Sequence, residues 1–249
     1  MAERQRAAFV VAWGGTAAFG ASLLWFLYCY LIRFEDPNRP RAASAVPTFN
    51  GSAAAAVAID VLLFSIFAFH HSLLARPAAK ALVRRLAPPE LERSLYTWVA
   101  SILFALVCWW WVPVPGTLYR LEGAWRAIVY GIQLAGILLT IRASRLLDVL
   151  DLSGVRPVER AASSEPPTHV PLKTTGLYGF VRHPLYFAWM LVVFATPDLT
   201  ATRFVFALVS TLYLAIAIPW EERALVEAFG PDYERYQQRV RWRMLPGVY

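Results

Sequence analysis

Charged and aromatic residues cluster at the ends of the last two apolar stretches of this 249-residue chain. Arg182, His183 and Tyr186 stand at the start of one stretch. Glu221 and Glu222 directly follow the next stretch. Consecutive spanning helices run in opposite directions, so the two groups are expected at the same side of a membrane. Because charges are costly at a membrane boundary unless they are paired or functional, the spacing predicts a polar binding site there.

The residue types in this cluster match the chemical groups of S-adenosylmethionine, which carries a sulfonium cation, an amino-acid end, a ribose diol and an adenine. Carboxylates suit the diol or the ammonium group, a cation suits the carboxylate, and aromatic rings suit the sulfonium and the base. We therefore predict a site for this cofactor. The residues predicted to form it are Tyr178, Arg182, His183 and Tyr186 of the stretch 176–186, with Glu221, Glu222, Tyr233 and Tyr236.

Each part of this cluster also has an ordinary structural explanation. An Arg-His pair at a membrane boundary often serves as an interfacial anchor. The helix dipole favours a Glu pair at a helix start, and tyrosines are common in interfacial aromatic belts. A soluble cofactor fold would need a Gly-rich strand-to-helix turn, which the sequence lacks. The combination of all these groups at this spacing favours the binding site.

The composition is that of a polytopic membrane protein. Hydrophobic residues make up 58% of the chain and charged residues 16%. Several apolar runs approach the length of about 20 residues that crosses a bilayer. We predict an all-α polytopic membrane fold with about six transmembrane helices (five to seven) and a C-terminal cytoplasmic amphipathic helix. The predicted spans are 7–32, 52–74, 94–112, 125–147, 184–196 and 203–220.

The distribution of positive charge predicts the orientation. Most of the 24 Lys and Arg residues fall in segments on the same side as the termini, which marks that side as cytoplasmic. The net charge of +7 does not indicate nucleic-acid binding, because no compact basic patch with interleaved aromatics is present. In the tail, Arg235, Arg239, Arg241 and Arg243 suit a surface that faces anionic headgroups.

We expect one membrane domain that spans residues 1–249. Within it, 1–141 is a helical scaffold, of which 52–93 contributes to the substrate side, and 142–249 is the cofactor-binding half. The run 7–32 is expected to be a retained first helix rather than a cleaved signal peptide. Cys29 and Cys108 both fall inside apolar runs, so the sequence predicts neither a disulfide framework nor a metal site.

The C-terminal half resembles a known family. Its segments 182–186 (Arg-His-Pro-Leu-Tyr), 221–225 (Glu-Glu-Arg-Ala-Leu) and 229–236 are similar to those of the integral-membrane methyltransferases related to isoprenylcysteine carboxyl methyltransferase and phospholipid methyltransferases. In that family the first two elements form the S-adenosylmethionine pocket. The resemblance therefore implies the same cofactor here and adds Pro184 to the predicted site.

A narrower resemblance covers more of the chain. Residues 69–77, 92–96 and 147–156 look like the branch that contains bacterial methanethiol S-methyltransferases, NnrU-type proteins and nurim. His70 stands where the methanethiol enzymes commonly have Gln. The resemblance implies an S-methyltransferase of a bacterial inner membrane that converts methanethiol to dimethyl sulfide. Nurim departs from the Arg-His-Pro and Glu-Glu elements, whereas this chain retains them, which favours a working enzyme.

A thiol acceptor must lose its proton, because the thiolate is the nucleophile. The candidate catalytic residues stand at the end of the second span: His71 first, then His70. A packing role for His71 remains open. Helical rise puts Asp60 about 15 Å from His70, which is far for direct chemistry. We therefore expect the Asp60 side chain to be neutral and hydrogen-bonded within the helix bundle.

Two other functions remain open. The acceptor could be lipophilic: a prenylcysteine carboxylate, an isoprenoid or a phospholipid amine. The protein could also be a nurim-like structural membrane protein without catalysis. The predicted partners are therefore a methyl acceptor and membrane lipid, with no nucleic acid and no obligate protein partner.

Overall fold

The fold is given by a computed structural model that describes residues 2–35, 49, 51–74, 77–163 and 171–249. Most of the connection between the first two predicted spans lies outside these residues. Arg76, which belongs to the 69–77 motif, also lies outside them.

Five of the described helices are long and apolar enough to cross a membrane. They are α1 (Ala2–Tyr28, continued by a π-helical turn over Cys29–Arg33), α2 (Ala53–Leu74), α4 (Glu92–Trp110), α5 (Gly123–Leu146) and α9 (Ala201–Phe229). Between them lie α3 (Pro77–Leu86), α6 (Val149–Ser153), α7 (Val155–Ser163) and the short apolar α8 (Pro184–Phe194). Helix α10 (Pro231–Arg239) follows α9. The prediction of an all-α polytopic membrane fold is confirmed.

The structure divides into two compact units, each of which is described by itself. One consists of Met1–Gly116 with Leu147–Thr168, and the other of Thr117–Leu146 with His169–Tyr249. The units therefore interleave along the chain, with α5 grouped with the C-terminal helices and α6 and α7 grouped with the N-terminal ones. The division of roles between a scaffold half and a cofactor-binding half stays a prediction.

In the N-terminal unit, α4 packs against both α1 and α2. Asp60 is fully buried in α2, and its carboxylate accepts a hydrogen bond of 2.7 Å from the backbone N–H of Val112. A buried polar group is tolerated when it is hydrogen-bonded. The expectation that Asp60 is bonded within the bundle is confirmed.

Ion pairs connect helices α6 and α7 with each other and with α4. Arg93 and Arg160 both contact the carboxylate of Asp151, and Arg156 contacts Asp148 at 3.5 Å. Burial works against the charge of Asp151, but the hydrogen bond from Arg160 and the charge of Arg93 outweigh it and hold the pKa of that carboxyl below its usual value. Arg93, Asp148 and Asp151 therefore all take part in ion pairs.

In the C-terminal unit, α5 lies along α8. Gly136 permits the close approach, because a Cβ atom there would lie 3.0 Å from the backbone nitrogen of Val192. Gln133 donates a hydrogen bond of 2.8 Å to the carbonyl of the same Val192. Helix α9 packs against α8 and continues through Pro219, so the Glu pair lies on the spanning helix itself.

The connection between α8 and α9 contains a strand, which the sequence did not predict. Strands β1 (Thr117–Arg120) and β2 (Asp198–Thr200) pair antiparallel, with Arg120 opposite Asp198. The Asp198 carboxylate is buried and is paired with Arg126 at 2.7 Å and with Arg120 at 3.6 Å. Strand β2 thus leads directly into α9. Thr200 caps the start of that helix, because its hydroxyl accepts a hydrogen bond from the Arg203 N–H.

We predict that Gly154→Ala destabilises the protein by about 2 kcal/mol or more. Gly154 separates α6 from α7 with a φ of +98°, and an added Cβ would lie 2.5 Å from the backbone nitrogen of Ser94. The measurement is the thermal unfolding midpoint in detergent. Gly131→Ala is the control, because its Cβ would meet no atom within 4 Å and alanine favours the helix. Equal midpoints for the two variants would contradict the prediction.

Candidate cofactor site

A buried ion pair between Arg182 and Glu222 lies at the centre of the predicted site. Arg182 Nε donates to Glu222 Oε1 at 2.6 Å, and Nη2 donates to Oε2 at 3.2 Å. The side chains are only 7% and 4% exposed. The planar guanidinium fits a carboxylate through two parallel hydrogen bonds. The predicted meeting of the start of α8 with the Glu pair is therefore confirmed.

Arg182 also ties the C-terminal tail to the start of α8. Its Nη1 donates to the carbonyls of Val240 and Arg241 at 2.6 and 2.9 Å. Its backbone N–H donates to the Trp242 carbonyl, and that of His183 donates to the Arg243 carbonyl. One arginine thus satisfies a buried carboxylate and two backbone carbonyls, so the tail after α10 depends on it.

Glu222 is engaged by protein groups on both carboxylate oxygens. Besides Arg182, Oε2 accepts from Arg243 Nε at 3.1 Å and from Gln237 Nε2 at 3.3 Å. His183 Nε2 lies 3.4 Å from Oε1. Glu222 is therefore suited to hold the site together rather than to bind a ligand directly.

Glu221, the residue before Glu222 in the sequence, is much more exposed than Glu222. Its side chain is 39% exposed, and its Oε1 accepts a hydrogen bond of 2.5 Å from the Tyr186 hydroxyl. The ring of Tyr186 stacks on that of His183 with centroids 5.3 Å apart and planes 8° apart. Pro184 occupies the first turn of α8, where a proline fits without loss of a hydrogen bond. Glu221 and the half-buried Tyr186 form the more accessible side of the site, whereas His183 is buried.

Tyr178, Tyr233 and Tyr236 are all buried. The Tyr233 and Tyr236 rings meet edge to face at 5.6 Å, and the Tyr236 hydroxyl donates to the Tyr178 carbonyl at 2.7 Å. Burial raises the pKa of Tyr178 to about 12 and raises the pKa of Tyr233 and of Tyr236 well above the usual range. All three phenols therefore stay protonated, and their described contacts anchor α10. A direct role in cofactor binding remains a prediction.

Besides Gln237, two residues of the site were missed by sequence reasoning. Arg243 was assigned to a headgroup-facing surface, but it contacts Glu222 and also donates to the Tyr249 hydroxyl at 3.2 Å. Tyr249 in turn donates to the Ala215 carbonyl of α9 at 3.1 Å. Neither has a local pattern that marks it, because their partners lie 6 to 34 residues away.

The predicted catalytic histidines belong to the N-terminal unit. The Tyr96 hydroxyl lies 2.6 Å from Nδ1 of His71 and 3.2 Å from its Nε2. The ring of His70 is nearly parallel to that of Tyr96, at 6.1 Å. Both ring nitrogens of His70 are buried without a hydrogen-bond partner among the described residues. Tyr96, at the end of the 92–96 motif, is thus a contact of both histidines that sequence reasoning did not single out.

Comparison with known proteins identifies the family. Residues 162–227, which include the Arg-His-Pro and Glu-Glu elements, match the isoprenylcysteine carboxyl methyltransferase (ICMT) family. A methanethiol S-methyltransferase of Crocosphaera subtropica is 38% identical over 186 residues, covering 74% of this chain and 73% of that protein. Methanethiol S-methyltransferase 2 of Bradyrhizobium diazoefficiens is 34% identical over 224 residues, covering 90% and 84%.

Nurim of Xenopus laevis is also similar, with 27% identity over 169 residues that cover 64% of this chain and 59% of nurim. No solved structure matches. The chain therefore belongs to the isoprenylcysteine carboxyl methyltransferase family of membrane methyltransferases. Within it, the similarity to methanethiol S-methyltransferases and nurim confirms the predicted branch.

We predict that Arg182→Ala lowers the free energy of unfolding by about 3–5 kcal/mol, the range expected when one partner of a buried ion pair is removed. The tail after α10 should also become sensitive to proteolysis, because two backbone carbonyls lose their donor. Thermal unfolding and limited proteolysis in detergent measure the two effects. The matched control is Arg235→Ala, because the Arg235 side chain is 69% exposed and pairs with Asp232 on the same helix. A similar loss in both variants would contradict the prediction.

Proposed function

We propose that this protein is an S-adenosylmethionine-dependent methyltransferase that methylates a small thiol, with methanethiol as acceptor and dimethyl sulfide as product. The observation that carries the proposal is the arrangement around the buried Arg182–Glu222 pair, with the carboxylate of Glu221 accessible beside it. Membership of a methyltransferase family supports the reaction class. We further propose that the protein lies in a bacterial inner membrane with both termini in the cytoplasm.

The residues present fit this cofactor by their chemistry. The Glu221 carboxylate, fixed by the Tyr186 hydroxyl, suits the ammonium group or the ribose hydroxyls. Arg243 pairs with Glu222 through Nε but is 35% exposed, so the rest of its guanidinium suits the cofactor carboxylate. The ring of Tyr186, which stacks on the buried His183, offers a π system to a sulfonium or a base. When bound, the cofactor supplies an electrophilic methyl group. Glu222 and Arg182 hold these contacting residues in place.

His71 is the proposed base for the thiol. An imidazole nitrogen that takes the S–H proton leaves the thiolate, which is the reactive nucleophile. The Tyr96 hydroxyl at 2.6 Å would fix the ring orientation and the position of the proton. His70, stacked on the same tyrosine, is the second candidate.

The thiol acceptor is favoured over a lipophilic one by the relatives named methanethiol S-methyltransferase, which share 31–38% identity with this chain. The nurim-like structural alternative is disfavoured by the intact charge set, because a buried Arg–Glu pair flanked by an accessible carboxylate exceeds what anchoring requires.

Cofactor binding is tested by titrating S-adenosylmethionine onto the purified full-length protein by calorimetry. We expect Glu221→Gln to weaken binding at least about tenfold, or about 1.4 kcal/mol, because it removes an accessible charge while keeping the side-chain shape. Glu234→Gln is the control, since Glu234 is exposed on α10. No binding by the unsubstituted protein would overturn the proposed function, and equal binding by the two variants would remove Glu221 from the site.

The acceptor is tested by incubating the protein with methanethiol and S-adenosylmethionine and measuring headspace dimethyl sulfide. We expect His71→Ala to lower kcat about 100-fold or more while cofactor affinity is retained. The residual rate should rise about tenfold per pH unit, because only thiol that ionises unaided then reacts. A purely structural role would lower the rate equally at every pH. Methylated lipid without dimethyl sulfide would establish a lipophilic acceptor instead.

A further inference from the structure

The C-terminal unit carries a surface groove that the proposed cofactor site does not use. The groove encloses about 310 Å³, near the lower limit of the range of about 300–1,000 Å³ for ligand pockets. Its walls come from Gly179 and Phe180 before α8 and from the tail between Arg239 and Pro246. This size suits a headgroup rather than a whole lipid.

The groove contains positive charge that no described carboxylate neutralises. Arg239 donates to the Thr174 carbonyl at 3.2 Å and lies over the Tyr236 ring, and both of these groups are uncharged. Arg241 is exposed, and within the described part of the chain its guanidinium has no ion pair or hydrogen bond. Two guanidinium groups are therefore available to an anion in the groove.

The other two arginines of the tail pair with carboxylates of the protein and do not line the groove. Arg235 pairs with Asp232, and Arg243 pairs with Glu222. Of the four arginines predicted to face headgroups, only Arg239 and Arg241 therefore remain candidates among the described residues. Arg235 provides a charge-matched control from the same part of the chain.

Exposed aromatic side chains on this groove are of the kind expected at a membrane boundary. Phe180 is 62% exposed and precedes the apolar helix α8, and Trp242, which also lines the groove, is 40% exposed. Tryptophan is typical of the headgroup region, where its ring meets lipid and its N–H meets water. A site for a soluble anion would have no need of these rings.

We propose that this groove binds the phosphate headgroup of an anionic phospholipid, with Arg239 and Arg241 on the phosphate oxygens and Phe180 and Trp242 against the acyl boundary. Guanidinium groups match phosphate oxygens through paired hydrogen bonds. The wall of the groove includes Val240 and Arg241, whose carbonyls are held by Arg182, so the groove keeps its shape without the lipid.

The test uses full-length protein in detergent and native mass spectrometry, with phosphatidylglycerol as the probe and phosphatidylcholine of the same acyl chains as reference. We expect phosphatidylglycerol to be retained preferentially. Arg239→Gln/Arg241→Gln should weaken its retention at least about tenfold, since each basic residue near a membrane surface contributes about fivefold. Trp242→Ala should weaken retention of the intact lipid without changing the net charge.

The control is Arg223→Gln/Arg235→Gln, which removes the same charge outside the groove and should retain phosphatidylglycerol. Arg223 lies over Trp220 on α9, and Arg235 is paired. An equal loss of phosphatidylglycerol in both double variants would show general charge attraction and would overturn the proposal that the groove is the binding site. Protection from thermal unfolding by inorganic phosphate as strong as that by phosphatidylglycerol would overturn the lipid assignment. Thermal midpoints of all variants establish that they are folded.

Discussion

The C-terminal unit depends on one interaction, the buried pairing of Arg182 with Glu222. Burying two charges carries a large desolvation cost, which is offset only when the geometry is good and the remaining hydrogen-bonding groups are satisfied. Here the guanidinium meets the carboxylate through two bonds and meets the Val240 and Arg241 carbonyls through its third nitrogen. The pair therefore joins three elements that are far apart in the chain: the start of α8, the end of α9 and the tail after α10.

The two adjacent glutamates show how a helix separates roles between residues of the same type. Successive residues of an α-helix point about 100° apart, so a buried Glu222 leaves Glu221 at the edge of the site. The inner carboxylate is enclosed by Arg182, Arg243 and Gln237. The outer one accepts a hydrogen bond from the Tyr186 hydroxyl, lies 3.7 Å from His183 Nδ1 and stays accessible. A rigid inner pair with an accessible outer carboxylate is the kind of preorganised arrangement that a binding site requires.

The N-terminal unit holds the polar segment of α6 and α7 through paired charges as well as through the apolar cluster of Ala12, Val155 and Val158. Asp151 is shared by Arg93 of α4 and Arg160 of α7, and Gly154 lets the turn between α6 and α7 approach the backbone of Ser94. In the same unit, Tyr96 contacts both histidines at the end of α2. These charged and aromatic groups lie at the ends of the spans, whereas Asp60 inside α2 is buried and hydrogen-bonded to the backbone of Val112.

The sequence by itself determined the helical membrane fold, the approximate bounds of five spans and the meeting of the Arg-His and Glu-Glu elements, because hydropathy and helix direction are local properties of the chain. The sixth predicted span, 184–196, is the short helix α8 (Pro184–Phe194). The sequence also determined the family, through motifs whose spacing is read directly. Only the tertiary structure decided which glutamate is enclosed, that Arg243 and Tyr249 join the site, that β2 pairs with β1, and that Tyr96 contacts both histidines. These features depend on side-chain direction and on contacts between residues that lie far apart in the chain, and no local pattern encodes either.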